Sequence, residues 1–192
     1  MKVLILDGNL ANGRGTASRK LREALLEKAQ ARGWNASVFD LDGMTIKPCR
    51  GCFACWVKHP GVCAIKDDEE SILRELAASD LWVFFTPVTF GGYSSALKKA
   101  LDRSIPVLLP FFIKVNGEIH HPQRYMNSRK LIVVGTQPEA DEEAERIFRD
   151  LVHRNALNLA SLKTVSCIID EGIDDSQARR KIGEILAEAE VG

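Results

Sequence analysis

Four of the five cysteines fall within 15 residues, as Cys49-x2-Cys52-x2-Cys55-x7-Cys63. A thiolate is both a soft ligand and a nucleophile, so a run of this kind serves metal binding or redox chemistry. In a reducing compartment structural disulfides are disfavoured, which sharpens that reading. Zinc sites usually separate two Cys-x2-Cys pairs by a dozen residues or more, unlike this run. Three thiols in successive x2 steps have ferredoxin-type cluster spacing, and Pro60-Gly61 lets the chain bend back so that Cys63 becomes a fourth ligand. A cluster, redox-active or idle thiols, and zinc all stay open, in that order. Cys167 stands apart in an apolar run and reads as a small buried apolar residue.

A second candidate site opens the chain. The first apolar run leads into Gly8-Asn9-Leu10-Ala11-Asn12-Gly13-Arg14-Gly15-Thr16 and then a helical pattern. Glycines allow a tight turn with inward N–H groups, and a helix N-terminus behind them favours an anion; Asn9, Thr16 and Ser18 add side-chain donors. Gly8, Gly13 and Gly15 are spaced wrongly for the dinucleotide pattern Gly-x-Gly-x-x-Gly. The triphosphatase loop fails as well, because Arg14-Gly15 stands where Lys-Ser/Thr is needed. A monophosphate fits better.

Two further loops carry ligand-like chemistry. Thr86-Pro87-Val88-Thr89-Phe90-Gly91-Gly92-Tyr93-Ser94-Ser95 follows the third strand. Its glycines permit close backbone approach to a flat ligand, Phe90 and Tyr93 can lie beside a ring, and Ser94 or Ser95 can cap the next helix. Gly135-Thr136-Gln137-Pro138 follows the fourth strand as a third polar loop.

The elements that position these loops are five strand-length apolar runs, Lys2–Asp7, Ala36–Leu41, Leu81–Phe85, Leu131–Val134 and Thr164–Ile169. Most lack polar alternation, as parallel strands covered on both faces do. Five amphipathic stripes alternate with them: Leu21/Ala24/Leu25/Ala29 before a Gly33 cap, Ile72/Leu73/Leu76/Ala77, Leu97/Ala100/Leu101, Ala144/Ile147/Phe148/Leu151 and Ala178/Ile182/Ile185/Leu186/Ala189. The acidic start Asp67–Glu70 complements the dipole of the second helix. The pattern predicts an α/β, doubly wound five-stranded parallel sheet in the order 2-1-3-4-5, within a single domain over 1–192. Two segments interrupt it, the cysteine loop 42–66 and the insertion 105–128, where Asn116-Gly117 predicts a β-hairpin. Loops after strands one, three and four converge where such a sheet holds a flavin mononucleotide, FMN.

On these residues the chain resembles the NAD(P)H-dependent FMN reductases of the flavodoxin-like superfamily, in the loop ending Gly15-Thr16 and in Thr86–Arg103. Cys49–Trp56, Pro60–Cys63 and Asp67-Asp68 resemble the iron–sulfur flavoprotein branch. The resemblance implies non-covalent FMN, NAD(P)H as co-substrate, a [4Fe–4S] cluster near the flavin on Cys49, Cys52, Cys55 and Cys63, and dimers or tetramers. By position it puts the phosphate on Asn9, Arg14, Gly15 and Thr16. It puts the isoalloxazine against Pro87, Val88, Thr89, Phe90, Gly91 and Tyr93, and against Gly135, Thr136 and Gln137. Asn9-Leu10-Ala11 replaces the family's Ser-Pro-Arg, removing one cation, and Arg14 is the replacement on offer.

Composition bounds the partners. The chain has 192 residues with 26 basic and 26 acidic side chains, and zero net charge argues against non-specific nucleic-acid binding. Residues 137–192 hold 7 basic and 13 acidic groups, leaving 19 and 13 in 1–136; that front part, at +6, suits a phosphate-bearing ligand or simply a solvated face. No apolar run spans a membrane, and the early polar N-terminus is unlike a signal peptide, so a cytoplasmic protein is expected. His59, His120, His121 and His153 lack catalytic or metal spacing, and Asp102-Arg103 reads as a structural salt bridge. No catalytic side chain is required, because the cofactor carries the chemistry. The expected activity is flavin oxidoreduction between a small-molecule donor and an acceptor, with ferredoxin a possible partner. The alternatives are a non-catalytic electron carrier or thiol redox sensor and, more distantly, a nucleotide-binding regulator.

Overall fold

In the computed structural model, residues 1–9, 16–126 and 129–190 are described. Strand β1 (Lys2–Asp7) leads to helix α1 (Thr16–Ala31), β2 (Asn35–Asp40), the short helix α2 (Ala54–Val57) and α3 (Glu69–Ala78). Next come β3 (Leu81–Pro87), α4 (Ser95–Asp102), the hairpin strands β4 (Ile113–Val115) and β5 (Glu118–His120), and β6 (Lys130–Gln137). The chain closes with α5 (Glu142–Asn158), β7 (Lys163–Asp170) and α6 (Asp175–Glu190). The main sheet is β2-β1-β3-β6-β7, parallel throughout, which is the expected 2-1-3-4-5 order of a flavodoxin-like fold.

Both faces are covered, and this explains the missing polar alternation. Val3, Ile5, Val83, Phe85, Ile132 and Val134 pack with Leu21 and Leu25 of α1 and Ile182 and Leu186 of α6. Leu4, Leu6, Trp82, Phe84, Leu131 and Val133 pack on the other side with Ile72 and Leu76, Leu97, Phe148 and Val152. Gly33, at φ +66°, ends α1 as expected, with its N–H on the Gln30 carbonyl at 3.0 Å. Asn116 and Gly117 both take positive φ, and the predicted hairpin forms.

Three expectations need correction. β6 runs on through Gly135, Thr136 and Gln137, so these form no separate loop; Thr136 pairs with Pro87, and Gln137 with Asp170. The ladder outlasts the apolar residues because neighbouring parallel strands still supply partners. In α5 the buried face is Phe148, Val152 and Ala156, while Ile147 is exposed. Asp141 caps that helix by accepting from the Ala144 N–H at 3.0 Å, and its acidic first turn faces water before the helix meets the sheet. The acidic start of α3 does not simply complement a dipole, since Asp67 and Glu69 are both drawn inward.

Asp67 belongs to the bond that holds the cysteine loop. Arg103, at the end of α4 and 2% exposed, grips it in a fork, with Nη1 and Nη2 each 3.0 Å from a carboxylate oxygen. Arg103 Nη1 also donates to the Lys47 carbonyl at 2.6 Å, and the Lys47 N–H donates to Asp67 Oδ2 at 3.0 Å. The Thr45 N–H donates to Asp68 at 2.7 Å. Both ends of the loop are therefore stapled to one guanidinium. The expected structural salt bridge exists, but it is made to Asp67, while Asp102 pairs on the surface with Lys98.

Burial alone would raise the Asp67 pKa, but hydrogen bonds from Arg103 and the Lys47 N–H outweigh it and hold the carboxyl below its usual range. Glu69 is fully buried with neither oxygen hydrogen-bonded, and burial pushes its pKa up to about 8 against the opposing pull of Arg103. Truncating Asp67 to Ala strands the buried guanidinium, and urea unfolding should show a loss of about 3–5 kcal/mol. Asp102→Ala should cost under about 1 kcal/mol. The raised Glu69 pKa means that the folded state holds a proton the unfolded state releases, so this group's stabilising contribution falls as pH rises from about 4.5 to 8. Glu69→Gln should flatten that part of the stability–pH profile, measured by denaturant midpoints across the range.

Candidate functional site

The carboxyl ends of β1, β3 and β6 lie side by side and carry three segments to one edge. The first ends β1. Asp7, 4% exposed, accepts at Oδ1 from the Asn9 N–H at 3.1 Å, Asn9 Nδ2 at 2.8 Å and Ser18 Oγ at 3.2 Å. Its other oxygen accepts from Arg22 Nη1 at 2.6 Å. Asn9 Nδ2 also donates to Ser18 Oγ at 2.7 Å, while Asn9 Oδ1 is buried without a partner. The expected phosphate ligand Asn9 therefore spends its side-chain donors bracing the strand end against α1. Thr16 begins α1 and is exposed; Arg14 and Gly15 lie outside the described residues.

Gly8 makes this junction possible. A Cβ there would sit 2.7 Å from Ser94 Oγ and 2.8 Å from Leu97 Cβ, so a side chain would push α4 away from the end of β1. Ser94 caps α4 by accepting from the Leu97 N–H at 3.2 Å, and its own N–H donates to Thr86 Oγ1 at 2.8 Å.

The second segment is a tight turn. Thr89 and Gly92 exchange backbone hydrogen bonds at 3.0 and 2.8 Å, with Phe90 and Gly91 at φ +49° and +74° between them. Positive φ at both central positions is the type I′ pattern, and it throws the Phe90 ring out to 99% exposure. Val88 donates its N–H to the Thr136 carbonyl at 2.8 Å, joining this turn to β6. Pro87 and Val88 are thus brought beside Gly135 and Thr136, while Gly91 lies against α5, where a Cβ would come within 2.6 Å of Ile147. Tyr93 departs from expectation. Its ring is buried edge-on to Phe148 at 5.8 Å, with its hydroxyl accepting from Asn155 at 3.1 Å, so it belongs to the core under α5. Burial pushes its pKa up to about 12. Gln137 donates to Glu145 at 2.9 Å, and the Thr136 hydroxyl is buried without a partner.

The orphaned Thr136 hydroxyl and Asn9 carbonyl oxygen, together with an uncovered aromatic ring, are the features a flat polar ligand would complete. The residues present fit FMN.

The four loop cysteines are free thiols lining a single tight concavity of about 20 Å3, which Arg103, Ile105 and Pro106 also line. Burial first, then the neighbouring Cys63 thiol, pushes the Cys55 pKa up; Cys49 and Cys52 add to it. Four thiols in electrostatic reach of one another are a donor set that fits a thiolate-bound metal group. Among the described residues, no three His, Cys, Asp or Glu side chains stand close enough together to hold an ion as they are. Cys167 lies on β7, half-buried, with its pKa pushed up to about 11 by burial.

Trp56 fastens the loop from the other side. Its indole N–H donates to the Ile105 and Leu108 carbonyls at 3.2 and 3.1 Å. Its ring lies 5.3 Å from Phe53 and 4.8 Å from His121, which in turn lies 5.0 Å from Phe112 at the hairpin base. His59 is exposed, and His120 is engaged with Asn158 and Glu118. Sequence reasoning missed Arg22 and the brace formed by Asp7, because no local spacing links a strand end to a residue a turn and a half into the next helix. It also missed that Asp67 answers Arg103 across 36 residues.

The NADPH-dependent FMN reductase family model matches residues 1–142. An iron–sulfur flavoprotein of Methanocaldococcus jannaschii is 35% identical over 121 residues, covering 62% of this chain and 61% of the relative. One from Methanosarcina thermophila is 30% identical over 105 residues, covering 55% and 53%. The chain thus spans just over half of those relatives' length. Among solved structures, an NAD(P)H:quinone oxidoreductase from Methanothermobacter marburgensis superposes with a TM-score of 0.69 over 100% of this chain and 99% of its own, at 17% identity, which shows a shared fold. No helix among the described residues is long and apolar enough to cross a membrane. The chain belongs to the NADPH-dependent FMN reductase family.

Proposed function

We propose that this chain is an FMN-dependent oxidoreductase that takes electrons from NAD(P)H, and that its cysteine loop holds a [4Fe–4S] cluster. The observation that carries the reading is the three-segment carboxyl edge, with its orphaned Thr136 hydroxyl, in a chain of the FMN reductase family. Bound FMN supplies hydride acceptance and release of electrons one or two at a time. The N-terminus of α1, Thr16, and Arg14-Gly15 would take the phosphate, using N–H dipoles that point at an anion. The backbone from Pro87 to Gly91 and from Gly135 to Gln137 would seat the ring system, and Phe90 would shield one face from water. Hydride transfer would require the nicotinamide to stack within about 3.5 Å of the flavin ring. Cys49, Cys52, Cys55 and Cys63 would hold the cluster, with Arg103 beneath them offsetting thiolate charge. Names of similar proteins, quinone oxidoreductase and iron–sulfur flavoprotein, agree with this reading.

An anaerobic absorbance spectrum with iron and sulfide assays tests it. Flavin bands, a broad shoulder near 400 nm and about four irons per chain are expected. Protein that stays colourless after flavin supplementation would refute the FMN reading; flavin without iron would refute the cluster alone. Cys49→Ser, Cys52→Ser, Cys55→Ser or Cys63→Ser should each abolish most of the iron, while Cys167→Ser should leave it unchanged.

A thiol redox sensor or electron carrier is the second reading, favoured by free thiols around one concavity. Slow bleaching by nicotinamides with fast dithionite reduction would select it. For assembly, the chain is proposed to act in the cytoplasm as a homodimer or homotetramer through the hairpin, where Phe111, Phe112, Ile113 and Ile119 are exposed. Light scattering of a variant lacking 114–119 should report monomer, and an unchanged oligomer would contradict that role.

A further inference from the structure

We propose that a cavity walled in part by Cys63 binds a small, uncharged aromatic acceptor of the quinone type, so that electrons leave the protein beside this cysteine. The inference rests on the cluster reading above. The concavity shared by the four thiols, at about 20 Å3, has no room for an organic molecule. Cys63 and Ile65 also line a second cavity, of about 360 Å3, which is within the usual size of a small-molecule site. One wall is thus common to the thiol site and to a space large enough for a ring. A cavity of equal volume under the hairpin is lined by no cysteine among the described residues.

The lining decides the class of occupant. Val62, Ile65, Leu73 and Val107 give the cavity apolar walls. Among the described residues, the charged side chains that line it are Glu70 and Arg74, and these pair with each other at 2.9 Å. A charged ligand would find its counter-ion already engaged, whereas a neutral ring gains by leaving water.

Tyr125 adds one polar handle. The Arg124 N–H donates to the Val107 carbonyl at 2.9 Å and Arg124 Nε to the Pro106 carbonyl at 2.9 Å, which fixes the segment that carries Tyr125 against the cavity wall. Gly61, at φ +83°, lies under its hydroxyl, and a Cβ there would come within 3.3 Å of that oxygen. A side chain at 61 would therefore crowd the donor. An O–H above apolar walls suits a flat ring bearing a carbonyl oxygen.

Such a ring beside a cluster ligand is an electron acceptor. Overall, NAD(P)H, one proton and the quinone give NAD(P)+ and the hydroquinone. The ring gains two electrons, and its two oxygens gain one proton from the nicotinamide hydride and one from water. Donor and acceptor then occupy separate places, the first at the carboxyl edge and the second at the cysteine loop.

Equilibrium dialysis of duroquinone against the full chain as purified, with iron assayed on the same sample, tests the inference. Duroquinone is fully substituted, so it offers a thiol no open ring carbon. Wild type should hold about one molecule per chain. Val62→Trp, which fills the mouth, should weaken binding by about tenfold or more. Tyr125→Phe should weaken it by about three- to tenfold through loss of one hydrogen bond, and should raise the KM for duroquinone by the same factor without moving the KM for NADPH. Val57→Trp, at an exposed position of α2 that does not line the cavity, should leave binding unchanged. Wild type that holds no duroquinone despite a full iron content overturns this inference alone. So does binding that neither Val62→Trp nor Tyr125→Phe weakens. The predicted order of binding in iron-free protein would overturn the electron exit and the cluster reading together.

Discussion

The fork between Arg103 and Asp67 makes a long, thiol-bearing loop part of the fold. Residues 41–68 contain only one turn of 3-10 helix and the four-residue α2, far too little regular structure to hold a shape unaided. A guanidinium at the end of α4 fixes both ends of that stretch through Lys47 and Asp67. Trp56 then fastens its middle to the segment after α4. Because α4 starts beside the end of β1, where Gly8 lets it approach, the same helix that supports the carboxyl edge carries the cysteine loop at its other end. Removing the pair would cost more than an ion-pair energy, since a buried guanidinium left alone has neither water nor a partner.

Charge placed where water is scarce recurs at the opposite end of α4's neighbourhood. Asp7 ties the strand end to the first turn of α1 at the cost of a negative charge, and Arg22 cancels it. Glu69 takes the other solution: with no hydrogen bond to its oxygens and a raised pKa, it holds its proton at neutral pH. Paired and protonated carboxyls thus both occur within one small α/β chain.

The sheet was legible because its signals are local. Unbroken apolar runs announce strands covered on two faces, stripes such as Leu21, Ala24, Leu25 and Ala29 announce helices, and Asn116-Gly117 announces a hairpin. The ends of the strands were not legible, since Thr136 and Gln137 look like loop residues until their partners on β3 and β7 are known. Tyr93 illustrates the limit for the site. Its position beside Gly91-Gly92 suggests a ligand contact, yet packing against Phe148 claims the ring. Asp67 with Arg103 and Asp7 with Arg22 escaped notice because ion pairs between distant residues leave no periodicity. The cysteine run was visible from spacing, while its closeness to one cation required the fold.

The central claim is that FMN sits on the edge built by the ends of β1, β3 and β6. A crystal structure of the protein prepared anaerobically with FMN tests it most directly. The account predicts isoalloxazine density against residues 87–91 and 135–137, with the phosphate at the start of α1. Flavin density elsewhere on the chain, or an empty edge at saturating FMN, would contradict it.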